Sequence, residues 1–147
     1  MLILPARDSR VQSGVGERLT GLVPVLLAIA LGGALGSAGR SLLEQLLGTS
    51  TEVGWPWGTL TANIVGAFAI GVIASSGWVE GRARWLRPFL ITGVLGGFTT
   101  FSAFALETGE MIDDDRYLPA LAYVGVTLAV GLFAVHLGRL VTREVRP

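Results

Sequence analysis

The 147-residue chain contains no cysteine, no lysine and a single histidine. Without cysteine it can form neither a disulfide framework nor a thiolate metal site or nucleophile. One histidine supplies too few ligands for a zinc or haem site. The 11 basic and 11 acidic residues cancel, so no surplus positive charge exists to neutralise nucleic-acid phosphates. These absences argue against redox, zinc and nucleic-acid-binding chemistry.

Charge itself is scarce. Charged residues make up 15% of the chain, against about 25% in an average soluble domain, and hydrophobic residues make up 51%. The mean hydropathy is +0.62. Glycine contributes 21 residues, which is about twice its usual share of ~7%. The composition therefore excludes a disordered chain and favours a membrane-embedded protein.

A membrane-spanning helix needs roughly 20 predominantly apolar residues. Four charge-free stretches meet that length, at residues 19–39, 53–79, 88–106 and 117–135, the last extending to 138 if His136 is tolerated. We therefore predict an all-α membrane protein with four transmembrane helices. Residues 1–20 are then a polar cytoplasmic extension, residues 21–139 the transmembrane domain, and residues 140–147 a short cytoplasmic tail.

The arginines predict the orientation of the chain. With four spans, both termini and the loop at residues 80–87 share one side of the membrane. That side holds nine arginines, namely Arg7, Arg10, Arg18, Arg82, Arg84, Arg87, Arg139, Arg143 and Arg146. The other side holds Arg40 and Arg116. The positive-inside bias predicts that both termini are cytoplasmic.

Most of the glycines fit close helix packing, because apolar helices in lipid associate through small residues that let backbones touch. Gly32 and Gly36 in span 1 and Gly93 and Gly97 in span 3 are each four residues apart, and span 4 offers Gly125 and Gly131. The pair Gly96-Gly97 differs, because a cluster of β-branched and hydroxyl residues follows it. We predict a helix break there, which membranes tolerate only where it is buried in protein or faces water.

The polar residues at membrane depth are few. Thr59 and Asn63 are four residues apart, as are Tyr123 and Thr127, so each pair shares one helical face. Ser102 lies between Phe101 and Phe104. Two interpretations of Asn63 stay open, a hydrogen bond between helices and a donor that faces a pore. The two phenylalanines and Tyr123 equally suit simple packing.

No acidic residue or lysine lies inside the predicted spans, which argues against a proton-coupled transporter. Glu44, Glu107, Arg40 and His136 lie at span ends. Neutral N–H and O–H donors can replace water around a small anion without trapping it, and phenyl rings have a positive edge. Permeation requires such sites to be strong enough to offset dehydration and weak enough to release the ion. The pattern favours passive anion passage.

Three stretches make the chain resemble the Fluc/CrcB fluoride channel family. They are GGALGSAGR at residues 32–40, GTLTANIVG at residues 58–66, and GGFTTFSAF at residues 96–104 followed by Glu107. The third stretch is highly specific, and the resemblance covers all four spans. It implies a fluoride-selective passive channel that exports fluoride and performs no catalysis.

The resemblance further implies an antiparallel dimer of oppositely inserted subunits with two pores and a broken third helix. A structural sodium ion at the dimer centre would be held by main-chain carbonyls, which correspond to Gly96 and Thr99. The pore residues would be Asn63, Phe101, Phe104, Tyr123 and Thr127. From their positions among these residues, we add Ser102 and Thr59 to the candidate ion pathway. Arg40 corresponds to an arginine near the end of the first helix, where it either attracts anions or anchors the helix by snorkelling.

Two departures from the family pattern matter. Ala103 stands where threonine is common, which removes a hydroxyl from the polar lining. The nine-to-two arginine asymmetry commits the chain to one orientation, so we predict that it pairs with a separate, oppositely oriented homologue. The alternatives are a small four-span multidrug-resistance-type antiporter, which would need a mid-membrane carboxylate in helix 1, and a tetraspan interaction protein without transport activity.

Overall fold

A computed structural model describes residues 9–47 and 54–143, with side chains described over residues 20–47 and 54–142. All regular structure in these ranges is helical. The elements are α1 (Ser9–Leu47), α2 (Trp57–Ser75), a π-helical segment (Pro88–Leu95) that runs into α3 (Gly96–Phe98), α4 (Phe101–Asp113) and α5 (Tyr117–Arg143). Two parts of the predicted termini lie outside the described residues, namely residues 1–8 of the N-terminal extension and residues 144–147 of the tail.

Four helical stretches are long and apolar enough to cross a membrane, as predicted. They are Thr20–Leu47, Trp57–Ser75, Pro88–Asp113 and Tyr117–Thr142. No more than a third of each stretch is buried within the chain, so most of its surface is open to lipid or to another subunit. The all-α membrane fold is therefore confirmed, and its assembly is a separate question.

The predicted span boundaries were wrong where a charged residue was used to end a helix. α1 continues through Arg40 and Glu44, whose side chains pair with each other at 2.9 Å. The third span continues through Glu107 to Asp113. The fourth continues to Arg143, whereas α2 is shorter than predicted and ends at Ser75. A charge can remain inside a helix when a partner lies within reach. Arg40 has that partner one turn away in its own helix, whereas the partners of Glu107 lie on other helices.

α1 packs backbone against backbone on the first half of the third span. A Cβ on Gly93 would lie 2.9 Å from the Cα of Gly32, and a Cβ on Gly36 would collide with the carbonyl of Val94. A Cβ on Gly97 would collide with the carbonyl of Gly33. These contacts confirm the packing role predicted for the glycines of spans 1 and 3.

The glycines of span 4 behave differently from the prediction. A Cβ on Gly125 or Gly131 would meet nothing within 4 Å, so neither glycine serves packing inside the chain. α5 instead approaches α2 at Gly138, whose Cβ would collide with the carbonyl of Phe68, and at Gly71, whose Cβ would collide with that of Val135. Gly125 and Gly131 are six residues apart, so they do not share the spacing of the packing glycines in spans 1 and 3.

The π-helical turn before α3 was not predicted. The amide of Gly96 reaches back to the carbonyl of Ile91, five residues earlier, as well as to that of Gly93. Such wide turns are rare and often occur at functional sites. Here the widened turn lies where Gly93 contacts α1, directly before the interruption of the third span.

Candidate functional site at the helix break

The third span is interrupted at Thr99 and Thr100. Thr99 has φ −81° and ψ 151°, and Thr100 has φ −145° and ψ 125°, so both backbones are extended. The break was predicted at Gly96-Gly97, but those two residues are helical and the interruption begins after Phe98. The helical backbone at residue 97 lies so close to Gly33 that only glycine fits there, because a Cβ would collide with the carbonyl of Gly33.

The threonines cause the interruption. Thr100 is the N-cap of α4, and its Oγ1 accepts a hydrogen bond of 3.1 Å from the amide of Ala103. Threonine is among the residues favoured at this position, where it satisfies an amide that has no acceptor within the helix. Thr99 ends α3 by donating from both its amide and its hydroxyl to the carbonyl of Leu95, each at 2.9 Å.

Asn63 of α2 holds the break from the side. Its Nδ2 donates to the carbonyl of Thr100 at 3.0 Å, and its Oδ1 accepts from the amide of Thr100 at 2.8 Å. Asn63 therefore forms a reciprocal pair of hydrogen bonds between α2 and the third span, which is the first of its two predicted roles. One of the two amide hydrogens is not used by this pair, so the role of pore donor stays a prediction.

A pocket of about 260 Å³ opens beside the break. Its lining consists of Asn63, Thr99, Thr100, Phe101, Phe104, Thr127 and Leu128. The rings of Phe101 and Phe104 lie 5.8 Å apart between centroids. Phe101 is 80% exposed on the surface of the chain, whereas Phe104 is buried. The structure thus brings together Asn63, both phenylalanines and Thr127, as the sequence predicts.

The polar groups around this pocket are partly occupied by local hydrogen bonds. Thr127 Oγ1 donates to the carbonyl of Tyr123 at 2.7 Å, one turn back along α5. Ser102 Oγ lies 3.1 Å from Thr100 Oγ1, and either hydroxyl can be the donor. Hydroxyls rotate, so both remain able to reorient towards an ion.

Thr59 and Tyr123 do not line the pocket. Both side chains are buried, and both donate to Glu107, Thr59 Oγ1 at 2.5 Å to Oε1 and Tyr123 Oη at 2.8 Å to Oε2. Sequence reasoning placed Glu107 at a span end, and this was wrong. One signal for the contact with Thr59 was present in the sequence. Thr59 lies one turn before Asn63 on α2, and Glu107 lies two turns after Thr100, so a helix pair joined at Asn63 and Thr100 can also bring Thr59 near Glu107.

Arg40 lies at the other side of the break, at the C-terminal end of α3. Its Nε donates to the carbonyl of Gly97 at 3.5 Å, and Ser37 Oγ donates to the same carbonyl at 3.3 Å. Its Nη1 is paired with Glu44. Arg40 therefore contacts a free helix end, where a cation is favourable, and not the pocket beside the break.

Two main-chain carbonyls at the break are released from helical hydrogen bonding. In a continuous helix, Gly96 O would accept from the amide of Thr100, and Thr99 O from the amide of Ala103. Here the Thr100 amide donates to Asn63, and the Ala103 amide donates to the Thr100 hydroxyl. These are the two carbonyls to which the resemblance assigns a sodium ion, and the donor set fits a hard cation.

Residues 27–139 match the family described as "CrcB-like protein, Camphor Resistance (CrcB)". A protein of Hyphomonas neptunium named "fluoride-specific ion channel FluC" is 42% identical over 123 residues, which cover 81% of this chain and 95% of that protein. A protein of Paracoccus denitrificans with the same name is 47% identical over 117 residues, covering 80% and 93% respectively. One from Opitutus terrae, also so named, is 46% identical over 117 residues, covering 78% and 89%.

Proposed function

The chain belongs to the CrcB-like protein family, and we propose from this premise that it is a passive, fluoride-selective ion channel of the membrane. Relatives that carry the name of fluoride-specific channel align with nearly their whole length. The structural observation that carries the proposal is the interruption of the third span at Thr99 and Thr100, with a pocket beside it.

The break supplies partial charges of both signs without an ionised side chain in the pocket. The N-terminus of α4 presents amides that have no acceptor within the helix, and the C-terminus of α3 presents carbonyls. Half-helix N-termini attract anions, and C-termini suit cations. The N-terminus of α4 therefore attracts fluoride, and the C-terminus of α3 attracts sodium.

Selectivity for fluoride follows from the kind of donors around the pocket. Neutral groups on Asn63 and Thr127, together with the ring edges of Phe101 and Phe104, can replace the water around a small anion. Ser102 does not line the pocket, but its hydroxyl lies 3.1 Å from that of Thr100, which does. No arginine lines the pocket, so the ion is not trapped by a full opposite charge. In our proposal the channel exports fluoride and so lowers its cytoplasmic concentration.

We propose that a structural sodium ion binds at the released carbonyls of Gly96 and Thr99. When bound, such an ion supplies a fixed positive charge that holds two subunits together at their breaks. The carbonyl of Gly97 is already used by Ser37 and Arg40, whereas those of Gly96 and Thr99 have lost their helical donors to Asn63 and to the Thr100 hydroxyl. Exposure of Gly96 at the surface of the chain supports a site that a second subunit completes.

We also propose that the protein lies in the plasma membrane with both termini in the cytoplasm and pairs with an oppositely oriented homologue. Nine arginines on one side and two on the other support a single orientation. Phe101, a predicted pore residue, is 80% exposed on the isolated chain, which supports completion of the pore by another subunit.

The proposal is tested by fluoride efflux from proteoliposomes, followed with a fluoride-selective electrode. Vesicles loaded with potassium fluoride should release it only after valinomycin is added, because a channel moves charge and needs a counter-ion. Chloride-loaded vesicles with the same protein are the matched control and should stay at background. Efflux without valinomycin would instead indicate an electroneutral exchanger of the antiporter type, and no efflux with a co-expressed homologue present would contradict the channel.

The same vesicles separate the finer proposals. Robust efflux from the purified single chain would contradict the need for a separate homologue. Sodium is tested by replacing it with N-methyl-glucamine during purification, and the thermal unfolding temperature of the dimer should then fall. An unchanged unfolding temperature and unchanged efflux would contradict a sodium ion at Gly96 and Thr99.

A further inference from the structure

Glu107, Thr59 and Tyr123 form a closed hydrogen-bonded cluster from three different helices. Their exposed fractions are 8%, 1% and 0%, respectively. Each carboxylate oxygen of Glu107 accepts one hydroxyl, from Thr59 of α2 at 2.5 Å and from Tyr123 of α5 at 2.8 Å. A buried network whose members are all satisfied rigidifies the structure around it.

The hydrogen bonds of this cluster have a definite direction. Both hydroxyls donate to the carboxyl group of Glu107, which is the arrangement that an acceptor-only carboxylate requires. The Tyr123 hydrogen is therefore directed at Glu107 and is not presented to an anion in the pocket. What Tyr123 offers to the neighbouring Phe104 is its ring, at a centroid distance of 5.3 Å.

The cluster lies one helical turn from the pocket. Phe104, which lines the pocket, precedes Glu107 by three residues on α4. Thr59 precedes Asn63 by four residues on α2, and Asn63 binds Thr100 at the start of α4. α2 thus holds α4 at two points. Asn63 binds the N-terminus of α4, and Thr59 binds the second turn of α4.

We propose that Glu107 is a positioning residue of the ion pathway. Its carboxylate holds the hydroxyls of Thr59 and Tyr123, and by doing so it fixes α4 and sets the ring of Phe104 at the wall of the pocket. This inference rests on the proposed fluoride channel. It assigns to Glu107 no contact with the ion and no transfer of a proton.

A double-mutant cycle between Glu107 and Tyr123 tests the proposal. In Glu107→Gln, one carboxylate oxygen is replaced by an amide group that donates, so one of the two hydroxyls can only accept there and its own hydrogen loses its acceptor. We expect fluoride efflux to fall at least about tenfold, which corresponds to about 1.4 kcal/mol. In the Tyr123→Phe background the conflict is absent, because the amide oxygen can face Thr59. There the same change should lower efflux less than about threefold.

A matched pair at Thr59 separates positioning from bulk packing. Thr59→Val keeps the shape of the side chain and removes the hydroxyl, whereas Thr59→Ser keeps the hydroxyl and removes a methyl group. If the hydrogen bond positions α4, Thr59→Ser should retain efflux within about twofold and Thr59→Val should lose most of it. The fluoride-to-chloride efflux ratio should fall with Thr59→Val, because the wall of the pocket moves.

The outcomes distinguish a failure of the proposed channel function from a failure of the positioning role of Glu107. Absence of fluoride efflux from vesicles that hold the wild-type chain together with the co-expressed homologue would overturn the proposed function, and the pathway role of Glu107 with it. Wild-type efflux combined with effects of Glu107→Gln and Tyr123→Phe that simply multiply would overturn the positioning role alone. If Glu107→Gln does not yield a monodisperse protein, the Thr59 pair decides: equal efflux in Thr59→Val and Thr59→Ser overturns the proposal.

Discussion

The two halves of the third span are held in place by different forces. The half before the break, residues 88–98, packs its backbone on α1 through glycines. The half after the break, α4, is held by side-chain hydrogen bonds, which are partly buried from Asn63 to Thr100 and buried from Thr59 and Tyr123 to Glu107. Van der Waals contact between backbones tolerates no added atom, whereas a hydrogen bond tolerates only groups of matching donor and acceptor type.

This difference matters for an ion pathway. The half that supplies carbonyls to the break is immobilised by steric contact, so its oxygens are fixed in position. The half that carries Phe101 and Phe104 is oriented by hydrogen bonds that specify its rotation. Substitutions in the first half should therefore affect folding before function, and polar substitutions around α4 should affect fluoride passage before folding.

The largest effect is expected from adding one methyl group to α1 where it packs on the first half. In Gly36→Ala the new Cβ would collide with the carbonyl of Val94 and lie 2.8 Å from the amide of Phe98, neither of which can move aside as a side chain can. We expect a loss of about 3 kcal/mol of stability and little recoverable protein. Gly33→Ala in the same helix is the control, since its Cβ meets nothing within 4 Å. Thermal unfolding measured by size-exclusion recovery would contradict the steric argument if both variants behaved alike.

The second prediction concerns the hydrogen-bonded half. Asn63→Asp keeps the volume of the side chain but cannot donate to the carbonyl of Thr100, and it places an acceptor-only charge beside the pocket. We expect fluoride efflux to fall by at least about tenfold while the protein still folds, because a lost buried bond costs about 1–3 kcal/mol. Unchanged efflux in proteoliposomes would remove Asn63 from the pathway.

The third prediction uses the two phenylalanines as a matched pair within α4. Phe101 is 80% exposed on the chain, whereas Phe104 is buried against Tyr123. If ring edges coordinate fluoride, Phe101→Ile should lower efflux about tenfold with little change in the thermal unfolding temperature of the detergent-solubilised chain. Phe104→Ile should lower both. Normal efflux from Phe101→Ile would mean that this ring only packs against a neighbour.

Sequence reasoning succeeded for features that depend on residue type alone. The length of apolar stretches predicted four spanning helices. Small residues at positions 32, 36, 93 and 97 predicted close helix packing, and the structure shows that α1 and the third span are the partners. The presence of a break was also predicted from its composition. Its location was wrong by about three residues, because the same glycines that suggested the break are needed for helical contact with α1.

The features that were missed depend on partners distant in sequence. Glu107 was placed at a span end because an unpaired carboxylate is costly in a membrane. Its two hydroxyl donors come from residues 48 positions before and 16 positions after it, and nothing local identifies them. The contact of Arg40 with the carbonyl of Gly97 was missed for the same reason, because the two residues are 57 positions apart. The π-helical turn depends on the contact with α1 and leaves no periodicity to detect.

The smallest effect is expected at the boundary between the two halves, where Arg40 contacts the end of α3. Arg40→Gln loses both the pair with Glu44 and the bond to the carbonyl of Gly97, whereas Glu44→Gln loses only the pair. A partly exposed ion pair contributes about 0–1 kcal/mol, and a hydrogen bond to a charged donor contributes about 1.5–3 kcal/mol. At 3.5 Å the bond to Gly97 is long, so we expect about 1 kcal/mol more from Arg40→Gln than from Glu44→Gln, measured by thermal unfolding. Equal losses would show that Arg40 acts through Glu44 and that Ser37 alone suffices to hold the carbonyl at the break.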